Sequence, residues 1–249
     1  MRKAVWLLIV LTVVHQTIRS QEKQEPVSRF KNTVHFNITN PVIFGSRAIV
    51  FGYERVLNKN HSITVNFGLT SFPTFGIINS DSVQVSTMRD RSGINISADY
   101  RVYLLKENKY PAPRGIYIGP YYSYNYFGNK LSWLFKSTNG STSPVESETK
   151  LNIHTFGFEL GYQFICWDRL TLDMILLGPG VASYNLKATL GTNLSQAEKE
   201  KFYKVLDDAL TNKFPGYQLS IKSDEFRKTG TANTASVGYR YMIQVGFRF

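Results

Sequence analysis

Glu54, Asp99, Arg101, Glu159, Asp173 and Arg240 are the residues of this chain best placed to do chemistry together. Four carboxylates and two guanidiniums have two readings. Strung along a path, they could relay a proton or an ion. Packed against one another, they neutralise and plug an interior, since buried charges must be paired. The second is the expectation here. Each of the six falls on the face of its segment opposite the aromatics, a face shared with Gly52, Gly68, Gly119, Gly157, Gly161 and Gly238. Glycines beside long charged side chains suit a narrow interior. The histidines offer less. His15 lies in a leader-like segment, and His35, His61 and His154 are expected near strand ends as hydrogen-bonded structural residues. No paired Cys/His metal spacing, phosphate loop or nucleophile elbow occurs, and Cys166 is the single cysteine. No enzymatic activity, cofactor or metal is expected.

Strands must position these charges. From Ala235 to Phe249 the odd positions read Ala, Val, Tyr, Tyr, Ile, Val, Phe, Phe, and the even ones Ser, Gly, Arg, Met, Gln, Gly, Arg. A period of two with one apolar face is a β-strand. The same alternation predicts strands over 33–39, 47–57, 61–70, 92–106, 115–127, 151–166 and 170–184. With the last segment that makes eight. Asn58-Lys59-Asn60, the stretch 107–114 and Trp167-Asp168-Arg169 read as short turns. The connections 40–46, 72–91, 129–150 and 185–234 are longer, and the two kinds alternate along the chain. Gly178-Pro179-Gly180 predicts a bulge or kink in the seventh strand. Ser195-Gln196-Ala197-Glu198 is a capping box. Phe202, Val205, Leu206, Ala209 and Leu210 follow at helical spacing, so a helix is expected from about 196 to 214.

Alternation alone does not separate a membrane barrel from a soluble one. The charges decide, because an Arg on the lipid face costs ~2–4 kcal/mol at mid-bilayer. Placing the six charges inside puts the aromatics outside, against hydrocarbon. The expected fold is therefore all-β: an eight-stranded antiparallel transmembrane up-and-down barrel, with one helix in the last extracellular loop. Eight strands leave an interior filled by side chains, whereas water-filled channels have about sixteen.

The closing segment, with Tyr241, Ile243, Val245, Phe247 and Phe249 on one face, resembles the last strand of bacterial outer-membrane barrels. That resemblance implies that these residues are the signal read by the barrel-insertion machinery. Val34-His35-Phe36-Asn37-Ile38-Thr39 and Ile49-Val50-Phe51-Gly52-Tyr53-Glu54-Arg55-Val56-Leu57 resemble the opening of small outer-membrane barrel proteins of Bacteroidota. The resemblance implies architecture and a place in the cell outer membrane, not an activity. The helical insertion at 185–234 departs from it.

Met1-Arg2-Lys3 and the apolar run Ala4 to Val14 read as a signal peptide over residues 1–20. Residues 21–32 are expected as a periplasmic lead-in and 33–249 as the barrel. The formal net charge is +11, and losing Arg2, Lys3 and Arg19 with the leader leaves +8. The remaining cations are scattered, which argues against nucleic acid. Expected partners are outer-membrane lipid, lipopolysaccharide, the insertion machinery and an extracellular protein at loop 185–234. The leading function is a non-enzymatic barrel acting in envelope structure, adhesion or partner binding. One alternative is a conduit or binder for small hydrophobic molecules, opening sideways at Gly178–Gly180. A second is lipid A modification.

Overall fold

Side chains leave a pleated backbone on opposite sides, and here that geometry sorts the residues cleanly. Phe51, Tyr53, Ile63, Val65 and Phe67 are exposed while Gly52, Glu54, Ser62, Thr64 and Asn66 between them are buried. The computed structural model describes residues 29–71, 79–80, 83–104, 108–136, 142–190, 195–213 and 229–249. The leader expected over 1–20 and most of the lead-in expected over 21–32 lie outside these.

The elements are β1 (Asn32–Asn37), α1 (Thr39–Phe44), β2 (Val50–Val56), β3 (His61–Leu69), β4 (Asn79–Ser80), β5 (Val83–Tyr103), β6 (Gly115–Lys136), β7 (Thr142–Cys166), β8 (Leu170–Leu177), β9 (Pro179–Leu190), α2 (Gln196–Lys213), β10 (Thr231–Tyr239) and β11 (Met242–Arg248). Pairing is antiparallel throughout. It runs β1–β2–β3–β5–β6–β7, with β8 and β9 both on β7, β10 on β9 and β11 on β8. β11 then returns to β1, with Val34 opposite Phe247 and Phe36 opposite Val245, and closes the cylinder. β8 with β9 forms one stave and β10 with β11 another. The result is a closed eight-stranded up-and-down barrel.

Both ends of the barrel chain and the three short turns share one rim. Phe249 N donates to Asn32 O at 2.9 Å, and Arg248 bonds the carbonyls of Asp168 and Phe30 at 3.0 and 3.1 Å. The Arg169 guanidinium lies over the Phe30 ring at 4.7 Å.

The opposite rim departs from the sequence expectations in four ways. Much of 72–91 and 129–150, expected as loops, is strand: β5 begins at Val83, β6 runs to Lys136 and β7 starts at Thr142. The expected connection 185–234 narrows at both ends, because β9 reaches Leu190 and β10 starts at Thr231. A second helix, α1, follows β1, so the described residues hold two helices rather than one. Finally, Gly178-Pro179-Gly180 marks the bulge that the sequence predicted, but its seam with β7 is paired. Ile175 faces Gly161 and Leu177 faces Leu160, so Leu176 is the extra residue, and Leu176 and Leu177 both point outward. Pairing resumes at once, with Gly180 between Gly157 and Gly238, and Arg240 N donating to Gly178 O at 2.8 Å. The Leu176 carbonyl is taken by the Tyr239 hydroxyl at 2.9 Å. The opening expected at Gly178–Gly180 is absent from this seam.

β5, β6 and β7 have 21, 22 and 25 residues against 6 and 7 in β1 and β2. The long strands exceed the roughly 9–11 residues that a tilted strand needs to cross hydrocarbon. Their side chains change character along their length. On β7 the outward face carries Phe156, Phe158, Leu160, Tyr162 and Phe164, then changes to His154, Asn152, Lys150, Glu148 and Glu146. The inward face loses its charges over the same stretch, going from Glu159 and Gln163 to Leu151 and Val145 with the neutral Thr149 and Ser147 between them, all buried.

Candidate functional site

The six charges selected from sequence all project into the barrel, and the structure brings them into one cluster. Gly52, Gly119, Gly157 and Gly161 leave the space; a Cβ at Gly161 would strike the Tyr117 ring. Arg101 sits at the centre, fully buried. Its guanidinium reaches Asp173 at 2.9 Å, Asp99 at 3.5 Å, Glu159 at 3.6 Å and Glu54 at 3.8 Å. It also lies over the Tyr117 ring at 4.5 Å, and Tyr117 in turn donates to Asp173 at 2.7 Å. Arg240, one layer towards the far rim, pairs with Asp99 and, at 3.1 Å, with Glu159. Its other amine donates to Ser97 at 3.1 Å.

Glu54 anchors the layer nearer the turns. It accepts from Ser62 at 2.7 Å, Gln163 at 2.9 Å and Tyr103 at 3.0 Å, and His35 Nε2 lies 3.3 Å away. His35, expected near a strand end, is thus wholly inside the lumen. It packs across from Gly52, where β1 and β2 are in register. Sequence reasoning passed over His35, Gln163, Tyr103 and Tyr117 as members of this network. Their place on the inward face of the alternation was the available signal.

Such a cluster fills a lumen with paired charge. It is also sensitive. Removing one partner from a buried pair leaves an uncompensated charge, at a cost of about 3–5 kcal/mol.

The outer surface of the barrel is apolar. Phe51, Phe67, Phe156 and Phe158 are all more than half exposed, as are Val181 and Val237, an apolar belt far larger than scattered surface residues make. Of the closing residues, Tyr241, Val245, Phe247 and Phe249 are exposed on it and Ile243 is half-buried. His61 and His154 face outward and bond tyrosines, Tyr100 at 3.0 Å and Tyr122 at 2.8 Å.

Above the Arg240 layer the lumen opens into a cavity of about 380 Å³. Its floor joins Arg240 to neutral polar groups: Asn95 donates to Asn125 at 2.6 Å, and Asn125 to Ser123 at 3.1 Å. Phe127, Ile153 and Tyr184 line it higher up. Beyond lies a second apolar core, with Leu186, Ala188 and Ala232 buried on the sheet and Phe202, Tyr203 and Leu206 buried on α2. Tyr203 donates to the Ala188 carbonyl at 3.4 Å. The capping box at the start of α2 is formed, with Ser195 N donating to Glu198 at 2.9 Å and Glu198 N to the Ser195 hydroxyl at 3.4 Å. The side chains of Val205, Ala209 and Leu210 lie outside the described residues; Phe202 and Leu206 of the expected stripe are buried. Among the described residues no cluster of metal-ligating side chains occurs.

The chain matches no family model and no curated protein, so the Bacteroidota resemblance of its first two strands gains no support there. Among solved structures it is similar to the crystal structure of a major outer membrane protein from Thermus thermophilus. The identity is 10% and the TM-score 0.37, over 89% of this chain and 100% of that one. A likeness so distant carries no argument. The barrel rests on its own strand register.

Proposed function

We propose that this protein is a non-conducting, non-enzymatic outer-membrane barrel that holds a sheet-and-helix head clear of the bilayer and acts by contact through that head. The observation that carries the reading is the reversal of polarity along β7. Phenylalanines face out and carboxylates in over one stretch; lysine and glutamate face out and leucine and valine in over the next. A single solvent would not favour both arrangements on one strand. Hydrocarbon around the first and water around the second favours each.

The turn-bearing rim is then periplasmic and the head extracellular. Lipopolysaccharide surrounds the belt, the closing residues Tyr241 to Phe249 present themselves to the insertion machinery, and the head with α2 meets a protein partner or a surface. A role in adhesion or envelope integrity fits this layout. The ion-paired lumen supports a plug rather than a pore. His154 stacks on Tyr124 at 4.8 Å and bonds Tyr122, an arrangement that ties the histidine to the aromatic girdle rather than to lipid chemistry.

Cell fractionation and planar-bilayer recording test the proposal together. The protein should partition with the outer membrane, require detergent, migrate differently in unheated and boiled gel samples, and give no conductance steps. A detergent-free soluble protein would overturn the membrane reading, and stable conductance would overturn the plug. A change in the lipid A mass profile on deletion of the gene would revive an enzymatic role.

A further inference from the structure

The seam between the first and last staves closes only part of the way up. Ile38 N donates to Ile243 O at 2.9 Å, and Ile243 N donates to the Thr39 hydroxyl at 2.7 Å. That is the last rung. The Asn40 amide turns back to Asn37 Oδ1 at 3.1 Å, and Pro41, which has no N–H to offer a ladder, lies in the first turn of α1. Above this point β10 pairs with β9 alone, and its other edge has no strand partner among the described residues.

The 380 Å³ cavity lies behind this break. It is lined by Ser97, Ser123 and Asn125 from inside the barrel, and also by Ile43 and by Tyr239 and Tyr241, which face outward. The cavity thus reaches the unpaired edge of the wall, where residues of both faces line it. That edge sits at the level of the hydrocarbon belt. Tyr239 is in register with Pro179, and on the next strand Gly180 faces Gly157, beside the exposed Phe158. On the α1 side Val42 and Ile43 are exposed, and Phe44 leans on Phe127 with ring centroids 5.7 Å apart.

We propose that this gap is a lateral portal through which one neutral, single-chain amphiphile enters from the outer leaflet, its hydroxylated or amide head on the Asn95–Asn125–Ser123 floor and its tail between Ile43 and Tyr239. The volume is at the small end of the range for small-molecule sites, about 300–1,000 Å³. It accommodates a head and part of one chain, not a multi-chain lipid. The head is neutral because the floor offers hydroxyls and carboxamides beside a guanidinium, Arg240, that is already paired. Arg240 is engaged by Asp99 and Glu159, and the plug beneath holds four carboxylates against two guanidiniums, which disfavours an anion. The proposal rests on the membrane-spanning reading and adds a ligand to it.

Photo-crosslinking tests it. The full-length protein in detergent micelles is irradiated with a monoacylglycerol carrying a diazirine in its tail, and with the fatty acid of the same chain. Labelled residues are mapped by mass spectrometry. The monoacylglycerol should label Ile43, Phe44, Tyr239 and Tyr241 several-fold more than Phe51 and Phe67 of the belt. Excess unlabelled monoacylglycerol should erase that preference, and Asn125→Phe, which fills the floor, should abolish it. If Asn125→Phe does not fold, the competition in the unaltered protein decides alone. Even labelling around the belt overturns the portal, and equal or stronger labelling by the fatty acid overturns the neutral head. Gel migration of unheated samples separates the two failures: a folded barrel without portal labelling removes only the ligand, and no detergent-dependent barrel removes the membrane reading as well.

Discussion

The barrel wall and the head are built from the same strands and follow opposite rules. In the wall, β7 turns phenylalanine outward and carboxylate and glutamine inward. In the head the same face carries Glu146, Glu148 and Lys150, and the interior holds Val145, Leu151, Leu186 and Phe202. The wall is stabilised inside by ion pairs and hydrogen bonds that reach from His35 on β1 around to Arg240 beside β11. The head is stabilised inside by apolar burial of the ordinary kind. Strand pairing is indifferent to the change of surroundings, because the backbone ladder satisfies itself in either. The side chains alone register where one medium ends.

Substitutions can separate the two rules. The largest effect belongs to Arg101→Met, which strands Glu54, Asp99, Glu159 and Asp173 around one remaining guanidinium. It should lower the unfolding free energy by about 3–5 kcal/mol in a urea titration of lipid-reconstituted protein. A neutral result would mean that the plug is decorative. Phe202→Ala should cost a similar ~3–5 kcal/mol, but locally. Limited proteolysis should then cut 195–213 faster while unheated gel migration of the barrel stays unchanged; loss of both together would show that head and wall are one cooperative unit. Leu160→Arg, mid-belt on the outward face of β7, should cost ~2–4 kcal/mol. Asn152→Arg, on that same face in the head, should stay within about 0.5 kcal/mol. Similar costs at both positions would erase the boundary between media. The smallest effect among the destabilising changes is expected from Ser195→Ala, which removes the cap of α2. A loss of about 1 kcal/mol should appear as faster amide exchange in the first turn of that helix and nowhere in the wall.

The same contrast explains what was legible in the sequence. Strands in the wall could be read because lipid and lumen demand residues of opposite polarity at alternate positions, as in Ile63, Val65 and Phe67 against Thr64 and Asn66. The extensions of β5, β6 and β7 were passed over as loops. Asn152, Lys150, Glu148 and Glu146 break the apolar series on its own face, and a reader following that face sees the strand end. Leu151 and Val145 on the other face carried the continuation. The bulge at Leu176 was signalled by Gly178 and Pro179, but a closed wall and an open one share that signal, and only the register with Gly157 and Gly238 distinguishes them. α1 is six residues long, too short to show a helical period. The cavity had no signature in one dimension, since its lining comes from segments as far apart as Asn37 and Met242.

The joining of Asn32 to Phe249 bridges 217 positions of chain. Drawing such distant ends together costs about 5 kcal/mol of chain entropy by the (3/2)RT ln n rule, before any rung between β1 and β11 gives a return. Val237 through Phe249 bring Arg240 to its carboxylates and complete the circumference. Until they arrive, Asp99, Glu159 and Asp173 face a half-built trough with one guanidinium among them. Completion of the ring and neutralisation of its contents are therefore a single late event. A chain of this design gains from a catalyst that holds the trough open to its final stave.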